Sequence, residues 1–156
     1  MLRIDISNEH SFPLDEARLK KAIRMVLKDT GFEEGEVSIA IVDDAEMHIL
    51  NRKYLDHDYP TDVLSFVLEE DPDEGRLEGE IIVSHDYAAR EAARYGWTAD
   101  DELLLYTIHG TLHLVGHDDQ EPAAKQEMRE REKQCLSLFG LTPRYEASQG
   151  DGPLSP

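Results

Sequence analysis

The chain has 156 residues, of which 34 are acidic and 16 basic, and its formal net charge at pH 7 is −18. This length suits one domain that buries roughly two thirds of its unfolded surface, and the acidic balance argues against broad electrostatic binding to nucleic acid. The single cysteine, Cys135, excludes an intrachain disulfide, and the sequence has neither a membrane-length apolar run nor a signal-peptide pattern. We therefore expect a cytoplasmic protein with no membrane segment.

The first third of the chain predicts alternating strands and helices. Residues 2–6 alternate between apolar and polar side chains, which predicts an opening strand. Residues 14–30 carry apolar side chains at helical spacing, and residues 37–42 are rich in β-branched side chains and predict a second strand. Either Asp43 or Asp44 is placed to cap the helix that follows.

The middle of the chain predicts two more strands and a short helix. Residues 63–68 and 80–84 are apolar and predict the third and fourth strands. Between them, residues 69–75 are acidic and rich in turn formers, which predicts a solvated loop. A short helix is expected over residues 87–95, ending at Gly96.

Two helices are predicted to complete the domain. Thr98 and Asp101 resemble a capping box at the start of a strongly apolar helix. The last helix is expected to begin near Pro122 and to end at Gly140. One side of it carries the apolar residues Met128, Cys135, Leu138 and Phe139.

The pattern as a whole predicts a single mixed domain over residues 1–142. From Pro143 onward the composition turns to Pro, Gly, Ser and Gln, so residues 143–156 are expected to form a flexible tail. The sequence contains no internal repeats, which leaves a compact domain of strands and helices as the expected architecture.

The helix that follows Thr98 carries the residues with the clearest chemistry. His109 and His113 are four apart, so both imidazoles lie on one face of a helix and can point at one ion. Gly116 is placed to end the helix and turn the chain back, which brings Asp119 toward the same ion. Two histidines and one carboxylate leave a position free for water, as in catalytic zinc sites. The sequence therefore predicts a hydrolytic site for one zinc ion.

Two other interpretations of these histidines stay open. His117 lies four residues beyond His113, so an unbroken helix would present it, rather than Asp119, as the third ligand. A lone histidine on an apolar helix is usually an ordinary core or surface residue. The helix-stop signal of Gly116 favours Asp119, and the spacing of the histidines favours a metal site.

Three segments carry a resemblance to a known family. Residues 109–119, HGTLHLVGHDD, resemble the His-Gly-x-Leu-His-Leu-x-Gly-Tyr-Asp-His pattern of the YbeY endoribonucleases, which are bacterial rRNA maturation factors. Residues 51–66, NRKYLDHDYPTDVLSF, resemble that family's second signature, and residues 79–84 take the place of its Gly-Asp-Ile strand. The likeness covers about residues 36–140, with the motifs in the family's order and spacing.

The resemblance implies both a fold and a function. The implied fold is α+β, with a small mixed sheet of about four strands flanked by helices and a zincin-like helix that carries the metal. The implied function is that of a zinc-dependent endoribonuclease, which cleaves single-stranded RNA in maturation of the 16S rRNA 3′ end and in ribosome quality control. Its partners would be rRNA and the ribosomal small subunit.

The second signature is expected to form a wall of the substrate cleft near the metal. Thr61, Asp62 and Ser65 are the candidate substrate-binding residues within it. The alternative is that Thr61 and Asp62 only cap a turn before the third strand, which their side chains also favour.

Departures from the family pattern bear on the same site. Asp119 stands where the family has its third histidine, and His117 stands where it has tyrosine. A carboxylate is a competent zinc ligand, so the site is expected to persist with altered metal preference. Leu55 stands where the family usually has an arginine suited to a phosphate. Arg52 and His57 are the nearby cations that would substitute for it.

Two further functions are weighed against RNA cleavage. Zinc metallopeptidases carry His-Glu-x-x-His, in which the glutamate is the general base. The corresponding position here is Gly110, which transfers no proton and argues against peptide hydrolysis. The other alternative is a non-catalytic ribosome-associated factor with a structural metal. It follows from the missing arginine and from the lack of an identifiable base, so no catalytic residue is assigned.

Overall fold

A computed structural model of the protein describes residues 1–28, 30–55, 62–117 and 120–142, without the side chain of Leu55. Several predictions fall outside these residues: those on His57, Thr61, Asp119 and the tail 143–156. Within the described stretches, none of the helices combines the length and the hydropathy that a bilayer crossing requires.

Strands and helices follow one another much as the sequence patterns predict. In chain order the described elements are β1 (Arg3–Ser7), α1 (Glu16–Leu27), β2 (Glu34–Val42), α2 (Asp44–Leu55), β3 (Val63–Asp71), β4 (Arg76–Ser84), α3 (His85–Tyr95), α4 (Ala99–Leu114) and α5 (Pro122–Ser137). Asp43 caps α2, because its carboxylate accepts a hydrogen bond from the Glu46 N–H at 2.8 Å. Gly96 ends α3 in the left-handed conformation, with φ 77°.

The four strands form one mixed sheet in the order β1-β2-β4-β3. The first three in this order are parallel, and β3 runs antiparallel to β4 at the edge. This confirms the predicted α+β fold with a small mixed sheet flanked by helices. Because β3 pairs with β4 only, one edge of β3 remains outside the pairing among the described strands.

The prediction of a loop over residues 69–75 was wrong for its first three residues, which belong to β3, although the segment is exposed to solvent. β3 continues to Asp71 and β4 begins at Arg76, so only a short 3-10 turn, Pro72–Glu74, and Gly75 separate them. Arg76 pairs with Glu34 of β2 on one side and with Asp71 of β3 on the other. Backbone pairing on both sides of β4 thus extends the hairpin through residues whose side chains favour solvent.

Helices cover both faces of the sheet unequally. The helix α2 packs on one face over a small apolar cluster formed by Val42, Met47, Leu64 and Ile82. The main core lies on the other face, where α1, α3, α4 and α5 are packed. The helix α4 is central to that core, since it contacts α1, α3 and α5 as well as the strands β3 and β4.

The buried side of α5 differs from the predicted one. Leu138 was predicted to line one side of the helix with Met128 and Cys135, but it lies beyond the end of the helix and is 69% exposed. Met128, Cys135 and Leu136 are buried as a helical stripe, and the stripe includes a charged residue, Glu132, at 1% exposure. Glu132 is not apolar, so the apolar pattern does not include it. Its spacing of four residues from Met128 nevertheless puts it on the same helical face.

Candidate metal centre

The helix α4 is held in place at both ends by capping interactions. Thr98 and Asp101 form the predicted capping box, in which each side chain accepts a hydrogen bond from the other residue's backbone N–H. At the other end, the Gly116 N–H donates to the His113 carbonyl and the His117 N–H to the Leu112 carbonyl, at 3.1 and 3.0 Å. This is a Schellman motif, and it requires the positive φ of 98° at Gly116.

The two predicted histidine ligands lie together on α4. The Nε2 atoms of His109 and His113 are 3.1 Å apart, and the ring planes meet at 83°. His109 is buried, with 4% of its surface exposed, whereas His113 is half-buried and borders solvent. The pair therefore offers two nitrogen atoms at one point on the boundary of the core.

Each histidine also has its second ring nitrogen fixed by an oxygen. The Nδ1 atom of His109 lies 2.6 Å from the Glu132 carboxylate, and the Nδ1 atom of His113 lies 3.1 Å from the His117 carbonyl. A carbonyl oxygen only accepts hydrogen bonds, so the proton of His113 is on Nδ1, and the Glu132 carboxylate favours the same tautomer for His109. With this tautomer, the neutral form of each ring presents the lone pair of its Nε2 atom.

This arrangement fits a metal ion. A cation next to both Nε2 atoms, which are 3.1 Å apart, would accept a lone pair from each neutral ring. Two nitrogen ligands of a tetrahedral zinc ion, each about 2.0–2.1 Å from it, are separated by roughly 3.3 Å. Carboxylate and carbonyl partners on the outer nitrogen are also typical of zinc-binding histidines. The donor set therefore suits zinc without rearrangement of the helix.

The end of α4 bears on the choice of the third ligand. The helix ends at Leu114, and the chain turns at Gly116, as predicted. The unbroken helix that would present His117 beside His113 is therefore not formed. The described contact of His117 with the pair is made by its backbone carbonyl. Asp119 lies outside the described residues, so its role as third ligand stays a prediction.

Glu132 is the residue next to the histidine pair that the sequence analysis missed. It is 23 positions from His109 in the chain, and the packing of α5 on α4 brings the two side chains together. A buried carboxylate needs a partner, and the His109 ring supplies one. The available signal was a glutamate within the apolar stripe that begins at Met128.

The described candidate residues of the second signature lie in three different surroundings. Asp62 is fully buried, and its carboxylate accepts a hydrogen bond from the Val63 N–H at 2.9 Å, which favours the structural interpretation of this residue. The Ser65 hydroxyl donates to the Gly110 carbonyl at 3.0 Å and so ties β3 to α4 beside His109. Arg52 is exposed in the last turn of α2. Among the described candidates of this segment, Ser65 therefore contacts the backbone of the residue that follows His109.

Gly110 has a steric reason to be glycine. A Cβ atom built on it would lie 2.9 Å from both Ile81 Cγ2 and Ser65 Oγ, and 3.2 Å from Val63 Cγ2. The close approach of α4 to the sheet therefore leaves no room for the glutamate of a metallopeptidase at this position. This observation strengthens the argument from sequence against peptide hydrolysis.

A buried acid, Glu102, lies on α4 two turns before His109. Burial, together with the negative charges of Glu91 and Asp62, raises the pKa of Glu102 to about 7. Burial also raises the pKa of Tyr106, helped by the charge of Glu102. Glu102 is thus half-protonated near neutral pH.

Another group of side chains that could bind a metal lies after the ends of β1 and β2. His10, Asp43 and Glu46 each place one ligand atom within 4.8 Å of the others. The His10 ring contacts Glu46 directly and lies 3.8 Å from an Asp43 oxygen. The hydrogen bond to Glu46 raises the pKa of His10. Because Asp43 and Glu46 cap α2, this group already has a structural role.

Comparison with known proteins gives a consistent result. A family model described as Endoribonuclease YbeY matches residues 4–140. A relative of that name from Rhodopirellula baltica is 44% identical over 113 residues, which cover 71% of this chain and 57% of that protein. The Bacillus licheniformis relative is 38% identical over 154 residues, covering 90% and 97%. The solution structure of TM1509 from Thermotoga maritima matches with a TM-score of 0.58 and 25% identity, covering 97% and 99%.

Proposed function

The chain belongs to the endoribonuclease YbeY family, and from that premise we propose that it is a zinc-dependent endoribonuclease that cleaves single-stranded RNA during maturation of the 16S rRNA 3′ end. The observation that carries the proposal is the pair of Nε2 atoms of His109 and His113, 3.1 Å apart, with both outer nitrogens held by oxygen atoms. The same activity would serve ribosome quality control, and the proposal includes a cytoplasmic location.

The residues of the chain divide the work at this site. His109 and His113 would hold the ion, with Asp119 as the proposed third ligand, while Glu132 orients the His109 ring. A bound zinc ion supplies Lewis acidity toward a phosphoryl oxygen and lowers the pKa of water. Ser65 keeps the edge strand against the metal helix, which fixes one wall of the proposed cleft. No general base is assigned.

The nucleophile is the first point to test. Water attack would leave products without a cyclic phosphate, whereas attack by the neighbouring 2′-hydroxyl of the RNA would leave a 2′,3′-cyclic phosphate. We expect the water route, since the two histidines suit an ion that keeps a position open for water. End-group analysis of cleaved oligonucleotides separates the two, and a cyclic phosphate would exclude the water route.

The proposed substrate is rRNA presented on the ribosomal small subunit. The reason is electrostatic, because a protein with a net charge of −18 repels polyanions outside local basic regions. Attachment to a ribosome would raise the effective concentration of the RNA end and offset that repulsion. We therefore expect faster cleavage on small subunits than on naked 16S 3′-end RNA.

The deciding experiment compares these two substrates with and without a chelator. His10→Ala is the matched control, because it removes an exposed histidine outside the proposed site. Nanomolar affinity for naked RNA at physiological salt would contradict the ribosome-bound substrate. Cleavage that persists in the chelator would contradict zinc-dependent catalysis. Absence of cleavage on both substrates, with or without the chelator, would favour the non-catalytic factor with a structural metal.

A further inference from the structure

One aromatic ring stands out on the surface beside the edge strand. Tyr54, in the last turn of α2, is 53% exposed, and it is the only aromatic residue among the large exposed apolar side chains of the described residues. An exposed tyrosine ring offers an apolar face to solvent at little cost in side-chain entropy. Such a ring is suited to contact a flat ligand.

A contact with the Phe66 ring fixes the position of the Tyr54 ring. The two rings meet in an edge-to-face contact, with centroids 5.4 Å apart and planes at 60°. Phe66 is half-buried and packs on the apolar cluster under α2. Ring pairs of this geometry are favourable, so the exposed ring has a defined orientation before any ligand binds.

Two cations accompany the ring. The Lys53 ammonium lies 5.2 Å from the centroid of Tyr54, and Arg52 shares the same exposed helical turn. A ring beside basic side chains is the combination that binds single-stranded nucleic acids, because bases stack on the ring and phosphates meet the cations. In a protein with a net charge of −18, this local pairing favours a polyanion with unpaired bases over an acidic or purely apolar partner.

The ring also lies next to the proposed active site across one strand. Phe66 follows Ser65 in β3, and the Ser65 hydroxyl binds the Gly110 carbonyl beside His109. Successive residues of a strand face opposite sides of the sheet, so Phe66 and Tyr54 lie on the α2 side while Ser65 faces α4. Because β3 is an edge strand, an extended chain can pass around it from one side to the other.

We propose that Tyr54, supported by Phe66 and flanked by Lys53 and Arg52, is a stacking subsite for an unpaired base of the RNA substrate. The proposal rests on the endoribonuclease function and extends it, since it places a nucleotide outside the scissile bond on the α2 side of β3. The ring contributes affinity that does not depend on base identity, because every base has a stacking face.

Binding of two matched oligomers tests the subsite without any cleavage. The probes are a labelled 2′-O-methyl oligouridine, which provides no 2′-hydroxyl nucleophile, and an abasic 2′-O-methyl oligomer of equal length, with fluorescence anisotropy as the readout at low salt. The intact protein should bind the base-containing probe on the order of tenfold more tightly. Tyr54→Leu should abolish this preference, and Tyr54→Phe should retain it.

Matched variants separate stacking from charge and folding. Ile49→Ala removes another exposed apolar side chain of α2 and should leave the preference unchanged. Lys53→Gln should weaken both probes alike and lower the salt dependence. Equal affinity of the intact protein for the two probes would overturn the proposal, as would a preference that survives in Tyr54→Leu. Loss of cleavage in His113→Ala with the base preference intact would concern the metal site and leave the subsite standing.

Discussion

Two groups of side chains could bind a metal, and they differ in whether their ligand atoms already have another role. At the exposed edge, His10, Asp43 and Glu46 bring three ligand atoms together, but His10 contacts Glu46 and both carboxylates cap α2. In the core, only His109 and His113 are described, yet their outer nitrogens are bound by oxygens and their inner nitrogens face each other. Proximity of ligand atoms is therefore a weaker sign of a metal site than histidine rings that are oriented by oxygen atoms on their outer nitrogens.

The two groups also differ in rigidity. The exposed group joins the segment after β1 to the start of α2 through side chains that reach solvent. The buried group is held by the packing of α5 on α4 and by the Schellman turn at Gly116. We infer that the exposed group tethers two segments and that the buried pair holds the ion. The following predictions test this contrast.

The largest difference is expected in RNA cleavage. His113→Ala should lower the cleavage rate by at least about 100-fold, since loss of mere outer partners of metal ligands already costs about 10–100-fold. His10→Ala should leave the rate within about twofold of the parent. Rates on one single-stranded substrate, with thermal midpoints as a control for folding, measure both. Similar losses of cleavage rate in the two variants would contradict a difference in function between the two groups.

The next effect concerns the partner of His109. Glu132→Ala should weaken metal binding by about 10–100-fold, because the His109 ring loses the acceptor that fixes its orientation and tautomer. Glu132→Gln keeps a neutral acceptor, so its metal affinity should lie between those of the parent and Glu132→Ala. Glu46→Gln is the matched control at the exposed group and should leave the affinity unchanged. Competition with a chromophoric chelator measures all three. Unchanged affinity in Glu132→Ala would show that orientation from α5 is dispensable.

A buried acid on α4 should make stability depend on pH. The pKa of Glu102 is raised to about 7 in the folded protein, above the ordinary 4.5, so the folded state holds the proton more tightly. This group therefore lowers the free energy of unfolding as pH rises from about 4.5 to about 7. Glu102→Gln removes the ionisation and should gain on the order of 2–3 kcal/mol relative to the parent between pH 5 and pH 8.

Denaturant unfolding of parent and variant at both pH values measures this gain. The exposed group supplies the control, since Glu46→Gln removes a carboxylate that is not buried in the core. A constant difference between Glu102→Gln and the parent across this range would contradict an elevated pKa at Glu102.

A smaller effect is expected from the contact between α4 and the sheet. Gly110→Ala places a Cβ atom 2.9 Å from Ile81 Cγ2 and Ser65 Oγ, so the helix has to shift. We expect a loss of about 1–3 kcal/mol in the free energy of unfolding, as for other overpacked cores. The Ser65 hydrogen bond should weaken with it. Urea denaturation measures the loss, and an unchanged midpoint would show that this contact is loose.

The local part of the site could be predicted from sequence, and the tertiary part could not. The capping box at Thr98, the spacing of His109 and His113 and the turn at Gly116 are all local, and the structure has the helix as these signals predict. Glu132 depends on how α5 packs, 23 residues away from His109. Sequence periodicity marks a helical face but does not say which helix it meets.

The sheet shows the same division. The four strands were predicted, but the true length of the β3–β4 hairpin was not, because pairing on both sides of β4 overrides the polar composition of its first residues. Asp62 is likewise fully buried, and its charge helps to raise the pKa of Glu102 on α4, which its own motif does not indicate. Charged residues at such positions carry little local signal.

The most direct test of the central claim is the metal content of purified protein after gel filtration. The parent should retain about one zinc ion per chain, and His10→Ala should retain the same amount. The double variant His109→Ala, His113→Ala should retain essentially none while keeping a cooperative thermal transition. Zinc kept by the double variant and lost from His10→Ala would contradict the account and assign the ion to the exposed group.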